Sequence, residues 1–362
     1  MKVASLAIDD YSNYGNNLQK YALQRTLKKF VDFTELLWHN ATNFFPETAQ
    51  NSYMSKPFPK NCDPVSQQQY FLREAVRINK IKEFENRYIK VRFDLPYIEE
   101  IADEYDYFVV GSDQVWNPLG KEFSTFLLEF VPREKKIAYA ASIAVPSIPA
   151  QIKEFFKKGV SSFKYISVRE KRAVEIIKEL TGRNAVLVLD PTMLLTLEEW
   201  LEIAQKPSWL NEKYQCGYIL TYYLRNNPPP EIKIISKKLN LPVINLLDWD
   251  NYWHYIVGPE EFIYLLANAA LIFTNSFHGV AFSINFKRPF INLEVDYTKT
   301  MSTRIPGLLK MFGLEERIML PGKKYKISSL LEIDYSTRDK ILLQERNKSL
   351  QFLLNALGGS KL

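Results

Sequence analysis

The chain has 362 residues, 46% of them hydrophobic and 24% charged, with a net charge of +6. This is the make-up of ordinary globular proteins, and it excludes disordered, collagen-like and disulfide-framework classes. Two cysteines, Cys62 and Cys216, are too few for a disulfide set or a cysteine-rich zinc site, which fits a reducing cytosol.

The opening MKVASLAIDDYSN meets Asp9 and Asp10 too soon for a secretion signal and reads as a first buried strand. No stretch of about 18 uninterrupted apolar residues offers a membrane span. The basic excess is spread along the chain without a stripe or binding module, which argues against nucleic acid. It is compatible with a cytoplasmic protein in peripheral contact with the inner membrane surface.

In chain order, short β-branched runs alternate with longer helical periods, the pattern of parallel βαβ units and an α/β fold. Strands are expected at Val3 to Ile8, Tyr107 to Val110, Ile137 to Ala141, Ile166 to Val168 and Val186 to Leu189. The helix after the first strand should run from Asn16 to Phe30, with Leu18, Ala22, Leu23, Leu27 and Phe30 as its apolar stripe. Residues 40–70, polar and aromatic without periodicity, read as an irregular insertion. A crossover near 201–213, with Pro207 and Asn211, leads to a second series of strands at Gly217 to Tyr222, Val243 to Leu246, Leu271 to Thr274 and Phe290 to Leu293. Helices are expected at Glu231 to Leu239, Pro259 to Ala269, Phe277 to Asn285, Leu308 to Phe312 and Arg338 to Ala356. The implied organisation is an N-terminal domain over 1–205, a C-terminal one over 214–330 and a terminal helix over 331–362 that packs back across the junction.

In open parallel sheets, ligands bind beyond the carboxyl ends of the strands, so the residues there are the candidates for chemistry. After the first strand, Tyr14-Gly15-Asn16-Asn17 opens a helix whose free N–H groups suit an anion; an ordinary Asn-capped start is the rival. Gly111-Ser112-Asp113-Gln114-Val115-Trp116-Asn117-Pro118 combines acid, amide and indole as a carbohydrate site would, although turn chemistry also explains it. Arg169 ends a strand where a bidentate anion clamp or a solvated charge would fit, and Asp190 could cap a turn or take a hydroxyl. His278, one of three histidines, stands in the first turn of a helix, and Ser302-Thr303-Arg304 offers a second anion clamp. Phosphate-loop, dinucleotide, zinc-protease and nucleophile-elbow signatures do not occur in the sequence.

Taken together, Asn13-Tyr14-Gly15-Asn16 with Leu18-Gln19 and Tyr21-Ala22-Leu23, the segments 111–117, 167–170 and 190–192, and Ser276-Phe277-His278-Gly279 form an ordered series. This series, with AFSINFKRPF after the histidine, resembles the polysaccharide pyruvyl transferase family over residues 3–313. The resemblance implies a GT-B-like fold, two Rossmann-like domains facing across a cleft. It also implies transfer of pyruvate from phosphoenolpyruvate, a co-substrate, onto a glycan or lipid-linked oligosaccharide as a cyclic ketal; no cofactor is expected, and nothing in the sequence requires a metal. By this resemblance Arg169 and His278 fall on the donor side and Asp113 and Asp190 on the acceptor side. Where family members carry Arg two positions before the histidine, this chain has Ser276, and Arg304 is the candidate replacement.

The expected catalytic residues are therefore His278, as imidazolium, with Asp113 and Asp190 as bases. Arg169, Arg304, Ser276, Gly279 and Ser302 would bind the donor, and Gly15, Asn16, Asn17, Ser112 and Trp116 would line the anion and acceptor cleft. A GT-B-like glycosyltransferase using a nucleotide sugar is the alternative; Glu260 and Glu261 are its nearest candidates for a ribose grip, but they read as helix-start residues. A non-catalytic glycan-binding protein, suggested by 21 tyrosines and 6 tryptophans, is the third reading.

Overall fold

The computed structural model describes residues 1–38, 63–93, 98–120, 123–224, 227–293, 304–319 and 326–359. The first half contains β1 (Lys2–Leu6), α1 (Tyr14–Leu27), β2 (Phe33–Leu37), α2 (Pro64–Tyr88), β3 (Val91–Arg92), β4 (Tyr107–Val110), β5 (Lys136–Ala141), α3 (Lys153–Ser161), β6 (Tyr165–Val168), α4 (Lys171–Thr181) and β7 (Val186–Leu187). Its strands form one parallel sheet in the order β3-β2-β1-β4-β5-β6-β7. After α5 (Leu197–Leu201) come β8 (Ile219–Tyr222), α6 (Glu231–Leu239), β9 (Val243–Leu246), α7 (Tyr252–Tyr255), α8 (Pro259–Asn268), β10 (Leu271–Thr274), α9 (Phe277–Asn285), β11 (Phe290–Leu293), α10 (Arg304–Phe312) and β12 (Ile318–Met319). These build a second parallel sheet, β12-β11-β10-β8-β9, and the chain ends in α11 (Ile327–Leu331) and α12 (Tyr335–Ala356).

In each sheet the crossover direction reverses once, between β1 and β4 in the first and between β8 and β10 in the second. Such switch points leave a crevice at the carboxyl edge of the strands. The expected α/β class holds, and every expected strand is present to within two residues. The sequence reading omits β2, β3 and β12.

The largest correction concerns the expected insertion. Residues 39–62 lie outside the described residues, but residues 64–70 are the first turns of α2. Asp63 caps this helix by accepting from the backbone of Val65 and Ser66, and Pro64 sits where its missing N–H is harmless. The buried face of α2 carries Tyr70, Glu74, Arg77, Ile81, Phe84 and Glu85. Glu74 and Arg77 neutralise each other at 2.8 Å, so the face is inward yet only half apolar, and apolar periodicity alone misses it.

Two long helices, α2 and α12, tie the halves together. From α2, Lys80 reaches Glu261 at 2.9 Å, Arg87 reaches Glu260 at 3.2 Å, and Glu74 accepts from the Tyr255 hydroxyl at 2.8 Å. Glu260 and Glu261, candidate ribose ligands in the alternative reading, are thus helix-start residues paired with α2. On α12, Arg346 donates to the Met193 carbonyl and to Asn285 Oδ1, both at 2.9 Å, and the Ser349 hydroxyl accepts from Leu189 N. That helix therefore touches the end of the first series and α9 of the second. Among the described residues, no helix is long and apolar enough to cross a membrane.

Candidate functional site

α1 is built to be buried almost all round. Asn13 caps it, accepting from Gly15 N at 3.0 Å and Asn16 N at 3.4 Å, which starts the helix two residues ahead of the expected Asn16. Tyr14 projects into the second half, where its hydroxyl donates to the Val257 carbonyl at 2.6 Å and its ring stacks on Phe262 at 4.7 Å. One turn of this helix therefore faces both switch points.

Gly15 lies directly against His278. A Cβ at this position would fall 2.1 Å from His278 Nδ1 and 2.2 Å from its Cγ, so the glycine lets helix and imidazole meet. His278 itself is in the first turn of α9, whose cap is Ser276; the Ser276 hydroxyl accepts from Gly279 N at 3.4 Å. A side chain on Gly279 would collide with Thr274, at 2.4 Å from its Oγ1. Ser276 and Gly279 thus hold the β10–α9 turn in shape. Ser302 lies outside the described residues. Arg304 begins the described part of α10, partly buried, and its positive charge acts on both Asp113 and His278.

Beneath the histidine lies a buried ionic cluster. Arg169, following β6, places Nη2 3.0 Å from Asp113 Oδ1 and Nη1 2.5 Å from Asp190 Oδ2, and its guanidinium covers the Phe277 ring at 4.5 Å. Asn16 Nδ2 donates to Asp113 Oδ2 at 3.1 Å. The Ser112 hydroxyl donates to Asp190 Oδ2 at 3.0 Å, and Asp190 Oδ1 accepts from the backbone and hydroxyl of Thr192. Asp113 is held at φ 59°, a left-handed conformation that Asp tolerates better than most residues. His278 Nε2 stands 3.8 Å from Asp190 Oδ2.

Three expectations change on this geometry. The Arg169 fork, expected to clamp an anion, is closed on two carboxylates. Asp113 and Asp190, expected as bases, are ionised but weakly basic: burial is the largest influence and raises both, but Arg169, His278 and their hydrogen bonds together outweigh it, leaving both below the usual carboxylate range. His278, expected as imidazolium, is neutral at pH 7. Burial lowers its pKa below 6.5, and Arg169 and Arg304 oppose its charge against the pull of Asp190 and Asp113. Trp116 is a fourth correction. It is fully buried, donates from Nε1 to the Phe126 carbonyl at 3.1 Å, and packs edge-on to Phe163, so its indole belongs to the core and offers no stacking face.

Sequence reasoning missed other residues of the site. The Glu170 carboxylate accepts from Ser142 Oγ, Ile143 N and Ala144 N, which fixes the loop after β5. Gln19 Oε1 accepts from Ser112 N at 3.1 Å. Around the cluster, His278 Nε2, Arg169 Nε, Asn16 Oδ1, Asn17 Oδ1, Gln19 Nε2 and the Tyr222 hydroxyl are buried and find no hydrogen-bond partner among the described residues. Buried polar atoms left this way cost about 1–3 kcal/mol each, so their gathering at one seam is the mark of a polar binding site. Among the described residues, no three His, Cys, Asp or Glu side chains are placed to hold a metal ion.

Comparison with solved structures places the whole chain beside sugar-nucleotide enzymes of the GT-B fold. The UDP-N-acetylglucosamine 2-epimerase of Rickettsia bellii aligns with a TM-score of 0.50 at 10% identity, covering 99% of this chain and 97% of that one. Anabaena Alr3699/HepE, solved with UDP and glucose, aligns at 0.47 and 11% identity over 99% and 97% of the two chains. At these identities the likeness concerns the fold alone. Comparison with curated protein sequences gives no match. The sequence profile of polysaccharide pyruvyl transferases matches residues 13–297, from the cap of α1 through the His278 turn and beyond β11, and the chain belongs to the polysaccharide pyruvyl transferase family.

Proposed function

We propose that this transferase moves pyruvate from phosphoenolpyruvate onto two hydroxyls of a glycan or its lipid-linked precursor, forming a cyclic ketal and releasing phosphate. The observation that carries the reading is His278: buried, neutral, with Nε2 unpartnered, 3.8 Å from a carboxylate, and set between two helix N-termini. The donor's carboxylate and phosphate are assigned to Arg304, whose charge reaches both Asp113 and His278, and to the N-terminal N–H groups of α9.

In this reaction one acceptor oxygen bonds to carbon 2 of the enol, the carbon–oxygen bond to phosphate breaks, and the second oxygen closes the ring. The two hydroxyl protons are conserved: one converts carbon 3 to a methyl group and one leaves on phosphate. Neutral His278 suits this chemistry as a proton shuttle, taking a hydroxyl proton at Nε2 and returning it to the donor. Asp190, 3.8 Å from Nε2, favours the transient imidazolium by its negative charge. Asp113 keeps Arg169 and Asn16 in place.

The test is calorimetry of phosphoenolpyruvate and, separately, UDP against the purified protein. Micromolar-to-millimolar phosphoenolpyruvate binding, weakened about tenfold or more in Arg304→Ala, supports the reading. Binding of UDP without phosphoenolpyruvate overturns it in favour of glycosyl transfer.

A further inference from the structure

The amino edge of the second sheet, away from the seam, carries a cavity that the mechanism above does not use. It has a volume of about 210 Å³ and lies between the 206–217 connection and the last turns of α8. Leu210, Tyr214, Tyr218 and Tyr264 give it apolar walls, and Lys206, Asn211, Gln215 and Asn268 give it polar ones. Tyr218 stands just before β8, whereas His278 follows β10, and these two strands are parallel neighbours. The cavity and the seam are therefore at opposite ends of the strands, about 13 Å apart for four extended residues.

The walls are held by bonds within the protein. Gly217, at φ 102°, turns the chain into β8 and donates to the Tyr214 carbonyl at 3.1 Å. The Tyr218 hydroxyl donates to the Leu265 carbonyl at 2.8 Å, and the Tyr214 ring stands edge-on to the Tyr218 ring at 6.1 Å. Asn211 accepts from Lys213 N through Oδ1, which leaves its amide group as a donor. Asn268 donates to the Tyr264 carbonyl through Nδ2, which leaves its Oδ1 as an acceptor. The Gln215 side chain and the Tyr264 hydroxyl have no partner among the described residues.

Half-buried rings beside amides that donate and accept match a sugar, whose carbon–hydrogen face is apolar and whose hydroxyls do both. Pockets for larger ligands run to about 300–1,000 Å³, so this one suits a single ring better than a nucleotide. Charge narrows the class. Lys206 is the one charged residue of the lining, exposed and without a carboxylate partner among the described residues. Beside it Lys213 lies 5.4 Å from the Tyr214 ring, Glu212 shares its turn, and Arg288 precedes β11 at the same sheet edge. Three cations against one carboxylate favour an anionic ligand.

We propose that this cavity is a second glycan site, remote from the seam, for a pyranose that bears a carboxylate. Lys206 meets the carboxylate, and Asn211, Gln215 and Asn268 meet the hydroxyls. The proposal rests on the reading that the acceptor is a polymer: a chain held here keeps its next repeat at high local concentration near the seam. Uronic acids and pyruvate ketals offer the same chemistry, and the second is what the proposed reaction makes.

Saturation-transfer NMR on the intact protein tests this with methyl β-glucuronide, the pyruvate ketal of methyl β-galactoside, and uncharged methyl β-galactoside. At least one of the two acids is expected to bind about threefold or more tighter than the uncharged sugar, and which one binds tells uronate from ketal. Lys206→Ala, at an exposed position, is expected to weaken that binding about three- to fivefold with an unchanged melting temperature. Adding Tyr264→Leu brings the loss to about tenfold or more, while phosphoenolpyruvate affinity stays at the wild-type value in both variants. Equal binding of the uncharged sugar, no binding of either acid, displacement by equimolar acetate, or unchanged binding in the double variant overturns the proposal. A signal lost in Arg304→Ala but kept in the cavity variants also overturns it, because the sugar then sits at the seam. Phosphoenolpyruvate binding without sugar binding sinks the second site alone, and sugar binding at the cavity without phosphoenolpyruvate binding sinks the pyruvyl reading alone.

Discussion

Replacing Arg169 by Met removes the one cation that lies between Asp113 at 3.0 Å and Asp190 at 2.5 Å, with all three side chains buried. Methionine nearly fills the volume, so the loss is electrostatic rather than a cavity. Breaking a buried ion pair by deleting one partner typically costs about 3–5 kcal/mol, because the abandoned charge stays in a poorly solvated place. Here two carboxylates are abandoned together, which puts the expected loss at the upper end of that range at neutral pH. For the wild type, both carboxyls titrate below their unfolded values, so their contribution is present above the unfolded pKa of about 3.9 and is lost as pH falls through the folded values. Without Arg169 the desolvation that opposed ionisation is no longer countered, and both carboxyls rise. The variant then regains stability relative to wild type as pH falls and the carboxyls protonate. Urea unfolding of both proteins at pH 4.5, 6.0 and 7.5 reads this directly: the deficit should be largest at pH 7.5 and shrink toward pH 4.5. A deficit under about 1 kcal/mol at pH 7.5, or one independent of pH, would refute the closed cluster and restore Arg169 as a free anion clamp.

Gly15→Ala reverses a general trend. Alanine in a helix is usually worth about 0.5–1 kcal/mol over glycine, but here the new methyl would sit 2.1 Å from His278 Nδ1, so the variant should melt lower than wild type and shift the His278 resonances. With three histidines in the chain, the His278 Hε1 signal can be followed by NMR. Its midpoint should fall below 6.5 and rise when phosphoenolpyruvate binds, whereas a midpoint above that value without ligand contradicts the neutral imidazole. Trp116→Ala should destabilise by about 3–5 kcal/mol and leave phosphoenolpyruvate affinity unchanged; a selective loss of ligand binding at full stability would return the indole to the cleft.

The parts of the fold legible in the sequence are those where one residue type has one physical use. The strands around Val109, Ile137, Leu271 and Phe290 are short apolar runs closed by turns, and they are found where expected. β2 was hidden because Glu35 interrupts its apolar run; that carboxylate is buried and accepts from the Tyr105 hydroxyl at 2.5 Å. The same cause hid α2, where Glu74 and Arg77 neutralise each other inside. At the site, the strand-end position of Asp113, Arg169, Asp190 and His278 was readable, since topology alone sends those positions to one edge. Their charge states were not, because the Arg169 fork and the His278 field depend on which residues meet across 56 and 21 positions of chain. Trp116 misled for a related reason: an indole beside a polar turn suits a sugar platform, and only the Phe126 carbonyl at its Nε1 reveals a core residue.

The join between the halves explains why so much polarity can be buried here. α1 leaves the first switch point, yet its first residue is anchored in the second half through Tyr14, while Gly15 backs onto His278 and Asn16 holds Asp113. One helical turn therefore fixes the distance between the two sheets at the place where their crevices open. α2 adds its pairs to Glu260 and Glu261 on the outside of the same seam. A site assembled from two bodies that moved freely would have to reform the Asp113–Arg169–Asp190 cluster at each closure. With α1 set between them, the cluster belongs wholly to the first half, and His278, Arg304 and the Phe277 ring meet it from the second. The charged base of the site is thus permanent. Two of the groups that meet it across the seam, His278 and Arg304, are those to which the proposed chemistry assigns proton transfer and donor binding.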